Sequence, residues 1–138
     1  AQPVNGLSFW GAVAWQKAII TTPDPATPQL AGNEIEHVPH WLFSGGADFT
    51  AIPKLRLSVW GGGQSNYELT TANNRGRWGD YAMLNAEAAY RVNDTLELSL
   101  SAKNLTNEAY EYVWWDGAQT LHSPADGTNV TAAVRVRF

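Results

Sequence analysis

Apolar and polar residues alternate with a period of two over long runs of this chain, the spacing that puts successive side chains on opposite faces of a β-strand. Six strands are predicted on that pattern: about 7 to 20, 41 to 49, 55 to 68, 81 to 90, 95 to 112 and 129 to 138. In the fifth, Leu96, Leu98, Leu100 and Ala102 oppose Glu97, Ser99, Ser101 and Lys103. In the last, Val130, Ala132, Val134, Val136 and Phe138 oppose Thr131, Ala133, Arg135 and Arg137. The second, third and fourth strands divide the same way, and across these five one face carries no charge. No run has the periodicity of a helix. The connections alternate in length: Ala51-Ile52-Pro53-Lys54 and Arg91-Val92-Asn93-Asp94 are short, whereas 21–40, 69–80 and 113–127 are long and rich in Pro, Gly, Asn and Asp.

Alternation alone does not say what the clean face touches, because a soluble antiparallel sheet packed on a core shows the same pattern. The rings on that face add a second feature. Phe49, Tyr90 and Phe138 fall at the short-turn end, and Trp41, Tyr67, Tyr110 and Tyr112 at the long-loop end. Two aromatic belts separated by aliphatic residues fit a lipid-facing band, since amphipathic rings favour the headgroup level. An arginine at mid-depth on such a face costs roughly 2–4 kcal/mol, which accounts for its freedom from charge. The other face, with Arg56, Glu87, Glu97, Lys103, Arg135 and Arg137, then lines a wet or plugged lumen. Short turns at one end and long loops at the other place the loops outside the cell and both chain ends in the periplasm.

Composition narrows the picture further. The 138 residues allow a single unit, 1–138, and a net charge of -4 with scattered basic residues excludes nucleic acid as a partner. The absence of cysteine removes disulfides and thiolate sites. The longest clean apolar stretch, Phe9 to Trp15, is far short of a membrane-spanning helix, so any span is β. Six strands do not close a membrane barrel, and an open edge cannot stay unpaired in lipid. The remaining strands are therefore expected from a longer precursor or from a separately encoded subunit.

Several segments resemble the C-terminal end of the TonB-dependent transporter family. Gly32-Asn33-Glu34-Ile35-Glu36-His37-Val38-Pro39-His40-Trp41 is similar to the family's stretch leading from an extracellular loop into a strand. Tyr81 to Leu100 resembles its penultimate hairpin, Asn104-Leu105-Thr106-Asn107-Glu108-Ala109-Tyr110 the element that follows, and Arg135-Val136-Arg137-Phe138 its aromatic chain end. The resemblance implies an all-β fold in which these antiparallel strands are the last part of an outer-membrane barrel of about 22 strands with a plugged lumen. It also implies an active transporter of a scarce nutrient, with a ferric siderophore the commonest cargo, powered through TonB acting on the plug. Plug and remaining strands are expected from a complementary chain or segment. Further implied partners are the lipid of the outer membrane and the barrel assembly machinery, with Val134, Val136 and Phe138 as the assembly signal. The rival readings are an independent soluble β-sandwich or small-barrel binding module, and a small membrane barrel made of several copies.

Candidate chemistry is sparse. His37 and His40 beside Glu34 and Glu36 have the donor types of a metal site but not a ligating spacing, and no metal or other cofactor is expected. Gly61-Gly62-Gly63 lacks the Lys-Ser/Thr of a phosphate loop and reads as a bend or thin place in the wall. Ser8, Ser44 and Ser58 have no nucleophile elbow around them, and no enzyme activity is expected. Function is expected on the loops. Arg75, Arg77 and Trp78, with Trp114, Trp115 and Asp116, offer charge and stacking suited to an anionic aromatic chelate. In the alternative, these tryptophans belong to the upper girdle and the arginines to ion pairs between loops.

Overall fold

The computed structural model describes residues 5–138. Its framework is one antiparallel six-stranded sheet built from β1 (Leu7–Trp15), β2 (Trp41–Phe49), β3 (Leu55–Gln64), β6 (Tyr81–Arg91), β7 (Leu96–Lys103) and β10 (Asn129–Val136), adjacent in that order, with β1 and β10 as edges. Two hairpins stand on the long connections: β4 (Tyr67–Glu68) with β5 (Arg77–Trp78), and β8 (Glu111–Trp115) with β9 (Thr120–Pro124). Among the described residues the only helical element is one 3₁₀ turn, Pro28–Leu30.

Cross-strand register carries one face through all six strands, because directly opposed residues point the same way. Val13 opposes Phe43, Ala47 opposes Val59, Val59 opposes Ala86, Ala88 opposes Leu100, and Leu100 opposes Ala132. That face bears no charged side chain from Leu7 to Val136. It is also uncovered: Val13 is 70% exposed, Leu100 53% and Val134 66%. The buried hydrophobic residues, Tyr67, Leu69, Ala89 and Val113, all lie elsewhere, either in the loop layer or, as Ala89, on the opposite face. A sandwich would fold the apolar face inward against a second sheet, and this sheet does not do so.

On the opposite face, two ion pairs and one hydrogen bond to a carboxylate form between neighbouring strands. Arg56 meets Glu87 at 2.8 Å, Arg135 meets Glu97 at 3.1 Å, and the Ser58 hydroxyl donates to Asp48 at 2.6 Å. Trp10 and Trp60 flank Gly46 there, and a Cβ on Gly46 would lie 2.8 Å from the Trp10 indole, so the glycine makes room for the ring. The Gly61–Gly63 run allows close backbone approach: a side chain at Gly63 would collide with the Tyr81 carbonyl and the Phe43 ring.

Both short connections form as expected. At the first, Lys54 takes a left-handed conformation (φ 68°) and its carbonyl accepts the Arg91 amide at 2.8 Å. At the second, the Asn93 side chain accepts the Thr95 and Leu96 amides at 2.9 and 2.8 Å, an Asx turn.

Three strands are shorter than their periodicity suggests. The first stops at Trp15 rather than continuing to Ile20, and the chain beyond folds back so that Ile19 bridges Glu34. The third stops at Gln64, and Ser65-Asn66 breaks the phase before Tyr67. The fifth stops at Lys103, where Asn104 (φ 51°) and Asn107 (φ 50°) turn the chain. These breaks revise the upper aromatic belt. Tyr67 is buried, and Tyr110 packs 4.8 Å from Tyr81, which faces the charged side. Tyr112 stacks in the loop layer against His37. Trp15, directly opposite Trp41, and Phe43 form the upper belt with it instead.

Candidate functional site

Three connections gather at one end of the sheet: residues 16–40, 65–80 and 104–128. The 104–128 connection rests on Asn104, which is 3% exposed and the one buried polar residue among those described. Its amide nitrogen donates to the Glu108 and Asp126 carbonyls at 2.9 and 3.2 Å. Its amide oxygen accepts the Glu108 N–H at 2.8 Å, and its own carbonyl accepts the Thr128 hydroxyl at 2.7 Å. One left-handed asparagine thus closes the base of the β8–β9 hairpin, a position that suits Asn because its short polar side chain bonds locally. Beside it, Met83, Asn85, Lys103, Tyr110 and Asp126 line an open recess of about 590 Å³.

The structure gathers three of the six expected ligand residues. The Arg75 guanidinium lies 4.0 Å from the Trp115 ring centroid, a cation–π distance. The Trp78 indole N–H donates to the Arg75 carbonyl at 3.2 Å, and its ring meets His122 edge-on at 5.4 Å. His122 in turn lies 2.9 Å from the Glu111 carboxylate. Arg75, Trp78 and Trp115 therefore form one cluster between the two hairpins.

The other three are engaged differently. Arg77 pairs with Glu34 and, at 3.5 Å, with Glu68. Burial alone would raise the Glu34 carboxyl, but the charges of Arg77, His40 and Lys17 outweigh it and hold the pKa below the usual carboxylate value. Trp114 points to the other side of β8 from Trp115 and stacks on Tyr112 at 5.7 Å. Asp116 caps the β8–β9 turn, accepting the Ala118 and Gln119 amides at 2.8 Å each; these bonds lower its pKa.

Residues that periodicity did not single out hold the loops together. Asn73 exchanges bonds with the Glu34 backbone, accepting its N–H at 2.7 Å and donating to its carbonyl at 2.9 Å. Glu36 accepts both the backbone N–H and the hydroxyl of Thr71, at 2.9 and 3.0 Å. Glu34 and Glu36, with donor types of a metal site, thus make inter-loop contacts, and His40 lies 3.1 Å from Glu34 within its own connection. At the far end of the sheet, Val134 and Val136 lie on the apolar face of the edge strand β10, and Phe138 follows them fully exposed.

An open sheet with one charge-free exposed face, a polar face crossed by ion pairs and long loops at a single end defines a segment of an outer-membrane type of β-barrel wall. The model of the TonB-dependent receptor-like β-barrel family matches residues 3–105, and the chain belongs to that family. The ferric yersiniabactin uptake receptor FyuA from Yersinia pestis is 16% identical with a TM-score of 0.82, the match covering 99% of this chain and 22% of that one. The siderophore receptor PiuA from Acinetobacter baumannii is 18% identical with a TM-score of 0.77, covering 98% and 20%. The ferric-catecholate import receptor Fiu from K12 E. coli is 16% identical with a TM-score of 0.77, covering 99% and 19%. At these identities the likeness is one of fold. The chain spans about one fifth of the length of these receptors. None of the curated proteins matches it in sequence.

Proposed function

We propose that this chain supplies the last strands of the wall, and three extracellular loops, of an outer-membrane TonB-dependent transporter whose cargo is a ferric siderophore. The observation that carries the reading is the apolar face, unbroken by charge across six strands and left uncovered. A soluble monomer rarely leaves a contiguous apolar sheet face open to water, and hydrocarbon is the solvent that suits it. The cargo class rests on family membership and on the names of the similar receptors, one for a siderophore, one for ferric yersiniabactin and one for a ferric catecholate.

In this reading the remaining strands and the plug come from a complementary segment or chain, energy arrives through TonB acting on that plug, and the assembly machinery reads Val134, Val136 and Phe138. The long loops are extracellular and both ends of the wall segment periplasmic; Ala1 to Val4 lie outside the described residues. Arg75, Trp78 and Trp115 contact the cargo, a cation and two indoles being suited to an anionic chelate with flat rings. Arg77, Trp114 and Asp116 hold that surface in shape.

The test combines topology with uptake. Single cysteines replacing Asn74 or Gly117 in the assembled transporter should react with an impermeant maleimide on intact cells, and a cysteine replacing Asp94 only after permeabilisation. The Arg75→Ala/Trp115→Ala double variant should reach the outer membrane at the normal level but take up radioactive iron chelate with lower affinity. Labelling in the reverse order would overturn the orientation. Unchanged uptake of every chelate tried, at normal surface levels, would remove these residues from the binding site.

A further inference from the structure

All three long connections meet at a single residue, Val113, which is fully buried. From the 65–80 connection, the Tyr67 hydroxyl donates to the Val113 carbonyl at 3.2 Å and accepts the Val113 N–H at 3.4 Å. From the 16–40 connection, His37 Nε2 lies 3.3 Å from the same carbonyl. A carbonyl only accepts, so this bond requires the hydrogen on Nε2. The imidazole sits between the rings of Tyr67, at 5.1 Å, and Tyr112, at 5.7 Å and 25° from parallel. Tyr112 then stacks on Trp114 at 5.7 Å.

The His37 backbone serves the same junction. It adopts φ 59°, a left-handed conformation uncommon outside Gly and Asn. In it the His37 N–H donates to the Glu68 carbonyl at 3.0 Å while the ring reaches Val113. The first two connections are also joined through Asn33, Glu34 and Glu36 to Thr71, Asn73 and Arg77. Among the described residues, the β8–β9 hairpin joins them through the bonds of Tyr67 and His37 to Val113 and through the ring contacts of Tyr112, Trp115 and His122 with His37, Arg75 and Trp78.

We infer that these three loops form one block keyed by His37, so that they present a fixed side of the barrel mouth rather than three separately moving lids. His37 is a positioning residue: it holds the Tyr112–Trp114 stack, and with it the β8–β9 hairpin, against the first two loops. Any closing motion at the mouth then belongs to loops contributed by the rest of the barrel. The inference rests on the extracellular placement of the loops only for its role at the mouth; the block itself is a statement about this chain.

The experiment uses spin-label pairs on cysteines replacing Ala31, Ala72 and Ala118 in the full transporter, one loop apiece, since this chain has no cysteine of its own. Each pairwise distance should show a single narrow distribution. His37→Asn keeps a residue that tolerates the left-handed backbone but removes the ring. In that variant the 72–118 distribution should lose its narrow peak and the 31–72 distribution should keep it. Tyr67→Phe, which deletes both bonds to Val113, should act in the same sense. A broad 72–118 distribution in the unaltered protein, or one as narrow in His37→Asn, would overturn the inference. Maleimide labelling of the same cysteines on intact cells checks the placement separately, so failure of that reading and failure of the block give different results.

Discussion

Replacing Leu100 by arginine isolates the property that distinguishes the two faces of the sheet. Leu100 is the fifth of the eight residues of β7 (Leu96–Lys103), is 53% exposed, and stands between Ala88 and Ala132. The ten residues of β3 extend roughly 30 Å at about 3.3 Å per residue, or about 23 Å along the membrane normal at a tilt of about 40°. That matches the apolar band of outer-membrane barrels, about 25 Å tall, and Leu100, near the middle of its own strand, lies within it. An arginine there should cost roughly 2–4 kcal/mol, or about thirty-fold to nearly a thousand-fold in the folding equilibrium. Ser101→Arg, one residue on, points to the charged face opposite Glu87 and should change stability by no more than about 0.5 kcal/mol. Reversible denaturant unfolding of the assembled transporter in phospholipid vesicles measures both. If Leu100→Arg is as mild as Ser101→Arg, the face is wetted by water and the reasoning fails. A loss beyond about 4 kcal/mol would instead point to a packed protein interior.

Three further outcomes follow from the loop layer. Asn104→Ala should destabilise by about 1–3 kcal/mol, since it strands buried backbone partners; amide exchange should rise first at Glu108 and Thr128, and unchanged protection there would contradict the role of Asn104 in closing the hairpin base. Glu34 has a depressed pKa in the folded state, so its contribution is full above the ordinary carboxylate value, about 4.3, and is lost as pH falls through the folded value. Distances between labels at 31 and 72 should therefore hold from neutral pH to about pH 5 and broaden only under stronger acid, and Glu34→Gln should broaden them at neutral pH. Arg77→Lys should weaken the same junction, because an ammonium cannot span Glu34 and Glu68 as the planar fork does; amide exchange at Asn73 would report it, and exchange as slow as in the unaltered protein would count against the bridge.

What was legible in the sequence was what depends on local alternation. The face of each of the five strands read residue by residue, from Trp41 to Val136, follows from a period that hydrogen-bonded neighbours then extend across the sheet. The two short turns were legible for the same reason, as Pro53 and Asn93 carry their own geometry. The loops were not. Tyr112-Val113-Trp114-Trp115 is a continuous apolar run in which period says nothing about face, yet Val113 and Trp115 meet Tyr67 and Arg75 while Tyr112 stacks on His37 and Trp114 on Tyr112. The alternative reading of the arginines as inter-loop ion pairs holds for Arg77, but its partner Glu34 is 43 residues away, so only the folded chain identifies that partner. The segment from Asn104 to Tyr110 carried a family signature, and its physical content, a buried asparagine closing the hairpin base, emerges only with its contacts.

A nitroxide scan of β7 in vesicles tests the central statement most directly. Labels introduced one at a time from 96 to 103 in the assembled transporter report collisions with oxygen, which partitions into hydrocarbon, and with a nickel chelate, which stays in water. Positions 96, 98, 100 and 102 should show high oxygen and low nickel accessibility, and positions 97, 99, 101 and 103 the reverse. A flat profile, or nickel reaching the even-numbered positions, would mean that this face does not meet lipid.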